Sequence, residues 1–233
     1  MEDYIDDKVY EQHTGHAKSL KLKMLNELKK SVCKIQKNSD SKATGFFLKF
    51  QTKTKNMYFI VTAHHVLTND FINDNNNSIE LIPENKTLKQ RIKFDGKERN
   101  IICLIDQDIT AIEIIDKDEI KNNVKFLSCD LSYKPDYSNY IDKDIFSLHY
   151  PFGDYLECSS GKVLIVKSPK KFEFQHSLDT EQGSSDWPVM ILDKLAEEPK
   201  VIGVHTSGLI LTNNNIGTFI GELINEINKQ FNK

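Results

Sequence analysis

The stretch Phe59-Ile-Val-Thr-Ala-His64-His65-Val66 decides how the rest of the chain is read. Its aromatic and β-branched residues suit a buried strand, and the run ends abruptly in two adjacent imidazoles. A histidine at a strand end is by itself more often structural than chemical. Two further segments alter that reading. Asp106-Gln-Asp108-Ile-Thr-Ala-Ile112-Glu-Ile114 sets an acid directly before an alternating apolar strand, and Gly183-Ser184-Ser185-Asp186-Trp187-Pro188-Val189 holds serines in a tight turn ahead of another. The order His, Asp, Ser meets a chemical need. A serine hydroxyl is a poor nucleophile near neutral pH and requires a base within hydrogen-bond reach, and an imidazole acting as that base requires a carboxylate to fix its tautomer.

Working outward from that strand, short β-rich runs recur: Val32–Ile35, Gly45–Phe50, Tyr58–Thr62, Ile79–Ile82, Arg91–Phe94, Ile101–Ile105 and Thr110–Ile115. Polar loops separate them, Asn69–Ser78 being the clearest. A charged stretch, Lys117–Asn123, reads as a link to a second set at Val124–Leu127, Ile145–His149, Lys162–Lys167, Phe172–His176, Val189–Leu192 and Val201–Thr206, with a weaker run at Leu209–Thr212. Closely spaced strands with polar turns indicate an all-β barrel or sandwich. A helix is expected at each end. Ala17, Leu20, Met24, Leu25 and Leu28 share one helical face opposite lysines, and Ile220, Leu223, Ile224, Ile227 and Phe231 form a stripe within Phe219–Phe231. The simplest organisation is a tail and helix over 1–30, a first barrel over 31–117, and a second barrel with a closing helix over 118–233.

Composition excludes several classes. The 233 residues carry 31 Lys+Arg against 34 Asp+Glu, a net charge of −3, and only two arginines, Arg91 and Arg99. That leaves no concentrated basic footprint or arginine fork for a nucleic acid. No apolar run approaches the ~20 residues needed to span a bilayer. The acidic start Met1-Glu-Asp-Tyr-Ile-Asp-Asp is not a secretory signal, so a cytoplasmic location is expected. Cys33, Cys103, Cys129 and Cys158 are scattered without metal-ligand spacing, and reduced thiols are expected rather than a zinc site.

Several of these segments together resemble the chymotrypsin-like (trypsin-like) serine peptidase superfamily over roughly residues 31–212, in its compact bacterial, viral and intracellular form. Thr44-Gly45-Phe46-Phe47-Leu48 resembles the strand ahead of the histidine, Thr62-Ala63-His64-His65-Val66 the T-A-A-H-[CV] motif, and Asp108-Ile-Thr-Ala-Ile112 the D-[IL]-[AT]-x-[LI] motif. His149-Tyr-Pro151 with Gly153, and Ser159-Ser160-Gly161, resemble landmarks of the second barrel. The resemblance implies two six-stranded antiparallel barrels and a serine endopeptidase working through an acyl-enzyme, without cofactor or metal. His65 would be general base, Asp108 its orienting carboxylate with Asp106 as fallback, and Ser185 the nucleophile. His64 would point to the opposite side. Backbone N–H groups of Gly183 and Ser185 would form the oxyanion hole. Ser184 carries no charge with which to bind a freshly cut N-terminus, so activation by that route is not expected. Asp186 and Trp187 depart from the pattern, which has small residues there.

His205 and Ser207 in Val201-Ile-Gly203-Val-His205-Thr-Ser207-Gly208, with Thr180 five residues before Ser185, resemble the primary pocket of bacterial glutamyl endopeptidases and picornaviral-type main proteases. There a hydroxyl and an imidazole N–H bind a Glu or Gln side chain. Asp179 is the competing selector, for a basic side chain. A protein or peptide substrate is the expected partner. Two other readings stay open: a catalytically weak or silent relative acting as a peptide-binding module, and a membrane-surface or assembly factor working through the lysine-rich helix at 17–30.

Overall fold

The computed structural model of the chain describes residues 22–37, 42–94, 98–151, 155–168, 172–178, 186–192, 198–208 and 214–231. Gly45–Leu48 and Tyr58–Val61 are continuously apolar because both faces of their strands are covered. They form β2 (Lys42–Gln51) and β3 (Asn56–Ala63), antiparallel with Phe46 opposite Val61 and Leu48 opposite Phe59. Phe46, Leu48, Met57, Phe59 and Val61 face a central cluster, while Phe47 and Ile60 face a separate core.

That separate core is enclosed by the first half. β1 (Val32–Gln36), β4 (Ser78–Pro83), β5 (Gln90–Lys93), β6 (Ile101–Leu104) and β7 (Ile109–Glu113) join β2 and β3 in the antiparallel order β5–β4–β1–β2–β3–β7–β6. Ile35, Phe47, Ile60, Leu81, Ile92 and Ile112, one from each of six of these strands, meet in the middle. The sheet therefore curls around its own side chains.

In the second half, β9 (Asp144–His149), β10 (Glu157–Ser168), β11 (Glu173–His176), β14 (Asn215–Phe219), β13 (Pro199–Gly208) and β12 (Pro188–Leu192) close into a six-stranded antiparallel barrel. Tyr137, Val163, Phe174, Trp187, Val189 and Phe219 fill it, and the Tyr137 and Phe219 rings stack at 4.1 Å. Between the halves runs β8 (Leu127–Cys129), parallel to β2 on one side and β13 on the other. Helix α1 (Leu22–Leu28) and helix α3 (Gly221–Phe231) lay Leu28, Leu223, Ile224 and Ile227 on the central cluster that joins the two barrels.

Several local expectations shift. The Asn69–Ser78 loop contains a one-turn helix, α2 (Asn69–Asn73), whose first turn is capped by Thr68 accepting from the Phe71 N–H. The strand expected at Val124–Leu127 starts at Leu127 instead, because Val124 and Phe126 turn in to pack on the first core. The charged stretch Lys117–Asn123 is anchored. Asp118 is buried against Arg99 at 2.9 Å and also accepts from the Ile115 N–H, and Ile120 is fully buried. Phe219 belongs to β14 rather than to the last helix. Of the N-terminal helix expected from Ala17, the part before residue 22 lies outside the described residues, as does Leu209–Thr212. The cysteines are unpaired thiols, with Cys33 and Cys129 buried and Cys158 exposed. No helix among the described residues is long and apolar enough to cross a membrane.

Candidate active site

The β3–β7 ladder positions the first part of the site. Its last pairs are Thr62 with Thr110 and Ala63 with Ile109, and one further rung runs from the His64 N–H to the Asp108 carbonyl at 3.0 Å. Asp108 sits in the left-handed region at φ 53°, ψ 45°, closing the turn Ile105–Gln107. Aspartate tolerates that conformation better than most residues, because its short polar side chain bonds locally. Here the carboxylate turns back to the histidines. Oδ1 accepts the His65 backbone N–H at 2.8 Å and Oδ2 accepts the His65 Nδ1–H at 2.7 Å. An ionised carboxylate can only accept, so the Nδ1 proton belongs to the imidazole and the Nε2 lone pair is left for other work. Asp106 makes no such contact. His64 faces away, as expected, with its Nδ1 2.9 Å from the Thr110 hydroxyl, which in turn donates to the Leu67 carbonyl.

On the other side of His65 lies the start of β12. Asp186 Oδ1 stands 3.4 Å from His65 Nε2. The Asp186 side chain is only 3% exposed, whereas that of His65 is 49% exposed. Burial pushes the Asp186 carboxyl up to about 8, with His65 opposing the shift and Asp108 adding to it. His65 is raised above the ordinary imidazole range, chiefly by its hydrogen bond to Asp108 and further by the Asp186 charge, against its partial burial. The Asp186 backbone is left-handed at φ 85°, where glycine would be the relaxed choice.

Two hydrogen bonds tie this segment to β13: Asp186 N–H to the His205 carbonyl at 3.2 Å, and His205 N–H to the Trp187 carbonyl at 3.0 Å. Trp187 is too bulky for the small-residue turn of the resembled motif. Its indole turns inward, fully buried and stacked on the His205 ring at 4.3 Å and 3°. His149 stacks on the same indole at 5.2 Å, and His176 meets it edge-on at 5.6 Å.

The buried histidines carry a determinate proton arrangement. The Leu178 backbone N–H points at His176 Nδ1, 3.3 Å away, so that nitrogen accepts. Neutral His176 must then hold its proton on Nε2 and donate it to His205 Nδ1, 3.2 Å away. His205 in turn holds its own proton on Nε2. Both rings stay uncharged because burial lowers them, His176 to about 3 and His205 well below the usual value. His149 is lowered to about 4 for the same reason.

His65, Asp108 and His205 are thus brought to one place. Ser207 lies on β13 beyond the last residue paired with β12, Val204, and is exposed. Thr180, Gly183, Ser184 and Ser185, with the competing Asp179, lie outside the described residues. His176 escaped the sequence reading, although a signal was present. In Phe174-Gln175-His176 the histidine shares the barrel-facing side with Phe174, two residues before it.

No protein-family model matches the sequence, and no curated protein resembles it in sequence. Solved structures do match in fold. A serine-to-alanine mutant of Rv3671c from M. tuberculosis H37Rv in its inactive form is 15% identical over 88% of this chain and 89% of its own, with a TM-score of 0.57. The serine protease of a human pathogenic astrovirus is 18% identical over 82% and 90%, with a TM-score of 0.52. A serine endoprotease from Yersinia pestis is 10% identical over 91% and 67%, with a TM-score of 0.61. The expected architecture is borne out: the chain has the double-barrel fold of the chymotrypsin-like serine proteases.

Proposed function

We propose that the chain is a serine endopeptidase whose triad is Ser185, His65 and Asp108. The observation that carries this is the two-point grip of Asp108 on His65, which sets the tautomer and turns Nε2 toward Asp186, the residue that directly follows Ser185 in the chain. In the proposed reaction the Ser185 oxygen bonds to the scissile carbonyl carbon and its proton passes to His65 Nε2. Collapse of the tetrahedral intermediate breaks the C–N bond, and the same proton leaves with the amine. Water then hydrolyses the acyl-enzyme through the same base. Gly183 and Ser185 N–H groups would hold the oxyanion, each such donor contributing ~3 kcal/mol in sites of this kind.

His205 would select the residue before the cut, together with Thr180. Its neutral ring, with the proton on Nε2, supports a preference for Glu or Gln, since an uncharged N–H donor suits a carboxamide or carboxylate oxygen. The exposed end of β13 at Ser207 suits an extended peptide adding alongside it.

A fluorophosphonate probe tests the reaction class. Wild type is expected to label covalently and Ser185→Ala, folded, is expected not to. Folded wild type that stays unlabelled overturns the hydrolase reading and leaves the second one, a peptide-binding module without turnover. That second reading is favoured by the Asp186 carboxyl standing against the proposed base.

A further inference from the structure

The His65–Asp186 approach has no counterpart in the chemistry assigned so far. Asp108 fully accounts for Nδ1 and the backbone of His65. Asp186 meets the other nitrogen, the one through which the imidazole would act, from inside the protein at 3.4 Å. Its Oδ1 is buried and has no hydrogen-bond partner among the described residues, so the His65 ring is the ionic neighbour it faces. A buried acid without a hydrogen bond depends on its ionic neighbour, because turning away from His65 would leave it with no compensating charge.

We propose that Asp186 is a positioning residue for the general base, its buried carboxyl occupying the Nε2 side of His65 and withholding that lone pair from the nucleophile in the unliganded protein. This rests on the peptidase reading of the same site. Two proton positions describe the pair. When the pair holds one proton, that proton lies either on His65, leaving an imidazolium facing a carboxylate, or on Asp186, whose O–H then donates to Nε2. In both states the lone pair is taken. Only loss of the second proton, or rotation of the carboxyl away from His65, frees it. The titrating pair therefore passes its active form at higher pH than a lone His–Asp couple would.

The surrounding groups reinforce this ordering. Asp108 faces the pair from the turn before β7 and favours retention of the proton. Lys37, following β1 and bonded to the Val66 carbonyl, weakly opposes it. His205 on β13, His176 on β11 and His149 on β9 stay neutral and add no charge near neutral pH. Asp186 also pays for its place with a strained backbone at φ 85°, a position glycine would fill without cost.

The test compares full-length wild type, Asp186→Asn and Asp186→Gly. Asparagine keeps the shape without the acid, and glycine suits the backbone. The rate of fluorophosphonate labelling is followed from pH 5 to 9, and the His65 imidazole is titrated by 15N NMR. Both variants are expected to move the acid limb of labelling down by about one pH unit or more, with roughly tenfold faster labelling on that limb. The His65 titration should move in the same direction. A merely structural role would change the amplitude of labelling and leave the limb in place. Folded variants with an unmoved limb and an unmoved His65 titration overturn the proposal. If no variant labels, the peptidase reading falls, and the NMR titration alone decides whether Asp186 holds His65.

Discussion

Asp108 alone performs, with its backbone carbonyl and its carboxylate, what three separate residues would otherwise have to do. Its carbonyl extends the β3–β7 ladder, one carboxylate oxygen pins the His65 backbone and the other fixes the ring. The left-handed backbone at φ 53° is what lets chain and carboxylate face the same loop. His205 works at longer reach, because its tautomer is dictated from Leu178 through His176. His205→Ala removes the donor but leaves the Asp186–Trp187 backbone pairing possible. Across a peptide library varied at the residue before the cut, Glu and Gln preference is expected to fall about tenfold to a hundredfold, the size of one buried hydrogen bond. A preference unchanged in the folded variant places selection elsewhere, with Asp179 the first candidate.

Among the elements, strands built from β-branched and aromatic residues were legible in the sequence, and those built around a neighbour's needs were not. Tyr58–Thr62 and Thr110–Ile115 could be read directly, and the His65–Asp108 pairing follows from the register of those two strands. β14 could not, since Asn213-Asn214-Asn215 and Gly217 signal a loop. Gly217 is nonetheless required in the strand. A Cβ there would lie 2.6 Å from the Phe174 ring, which likewise leaves no room for one at Gly203. The role of Asp186 was equally hidden: a residue beside a serine shows its departure from a motif, but only the fold shows that the carboxyl is buried against Nε2. The Lys117–Asn123 stretch looked like a solvated link because a lone buried acid has no sequence signature apart from its partner, and Arg99 is 19 residues away. Asp118→Asn is expected to cost about 3–5 kcal/mol in urea unfolding, because it strands the Arg99 charge. Replacing both, as Arg99→Met with Asp118→Leu, should recover much of that loss. A single variant as stable as wild type would show the pair to be dispensable.

At the scale of the whole molecule, three buried neutral histidines set an acid limit. His149, His176 and His205 all have folded-state values below the ordinary 6.5, so their contribution to stability is complete above that pH and is lost as pH falls below it. Each contributes a slope of up to about 1.4 kcal/mol per pH unit between its unfolded and folded values. Asp186 has the opposite sign. Raised from 3.8 to about 8, it favours the fold at low pH and withdraws that support as pH rises through this interval. Urea midpoints measured against pH should therefore fall steeply from pH 6.5 toward 4 in the wild type. Asp186→Asn should remove the decline toward pH 8 while keeping the acid slope, and an acid slope that persists unchanged in His149→Gln would remove that residue from the account. The two groups of site residues ride on different barrels: His65 just after β3 and Asp108 just before β7, Asp186 just before β12 and His205 on β13. Among the described residues, β8 is the strand that pairs with both barrels. It is the pivot of a pair of tongs. A rung lost between Cys129 and Val201 would leave each jaw its shape yet alter how wide they stand, so the gap between His65 and Asp186 is gauged by three residues that touch neither.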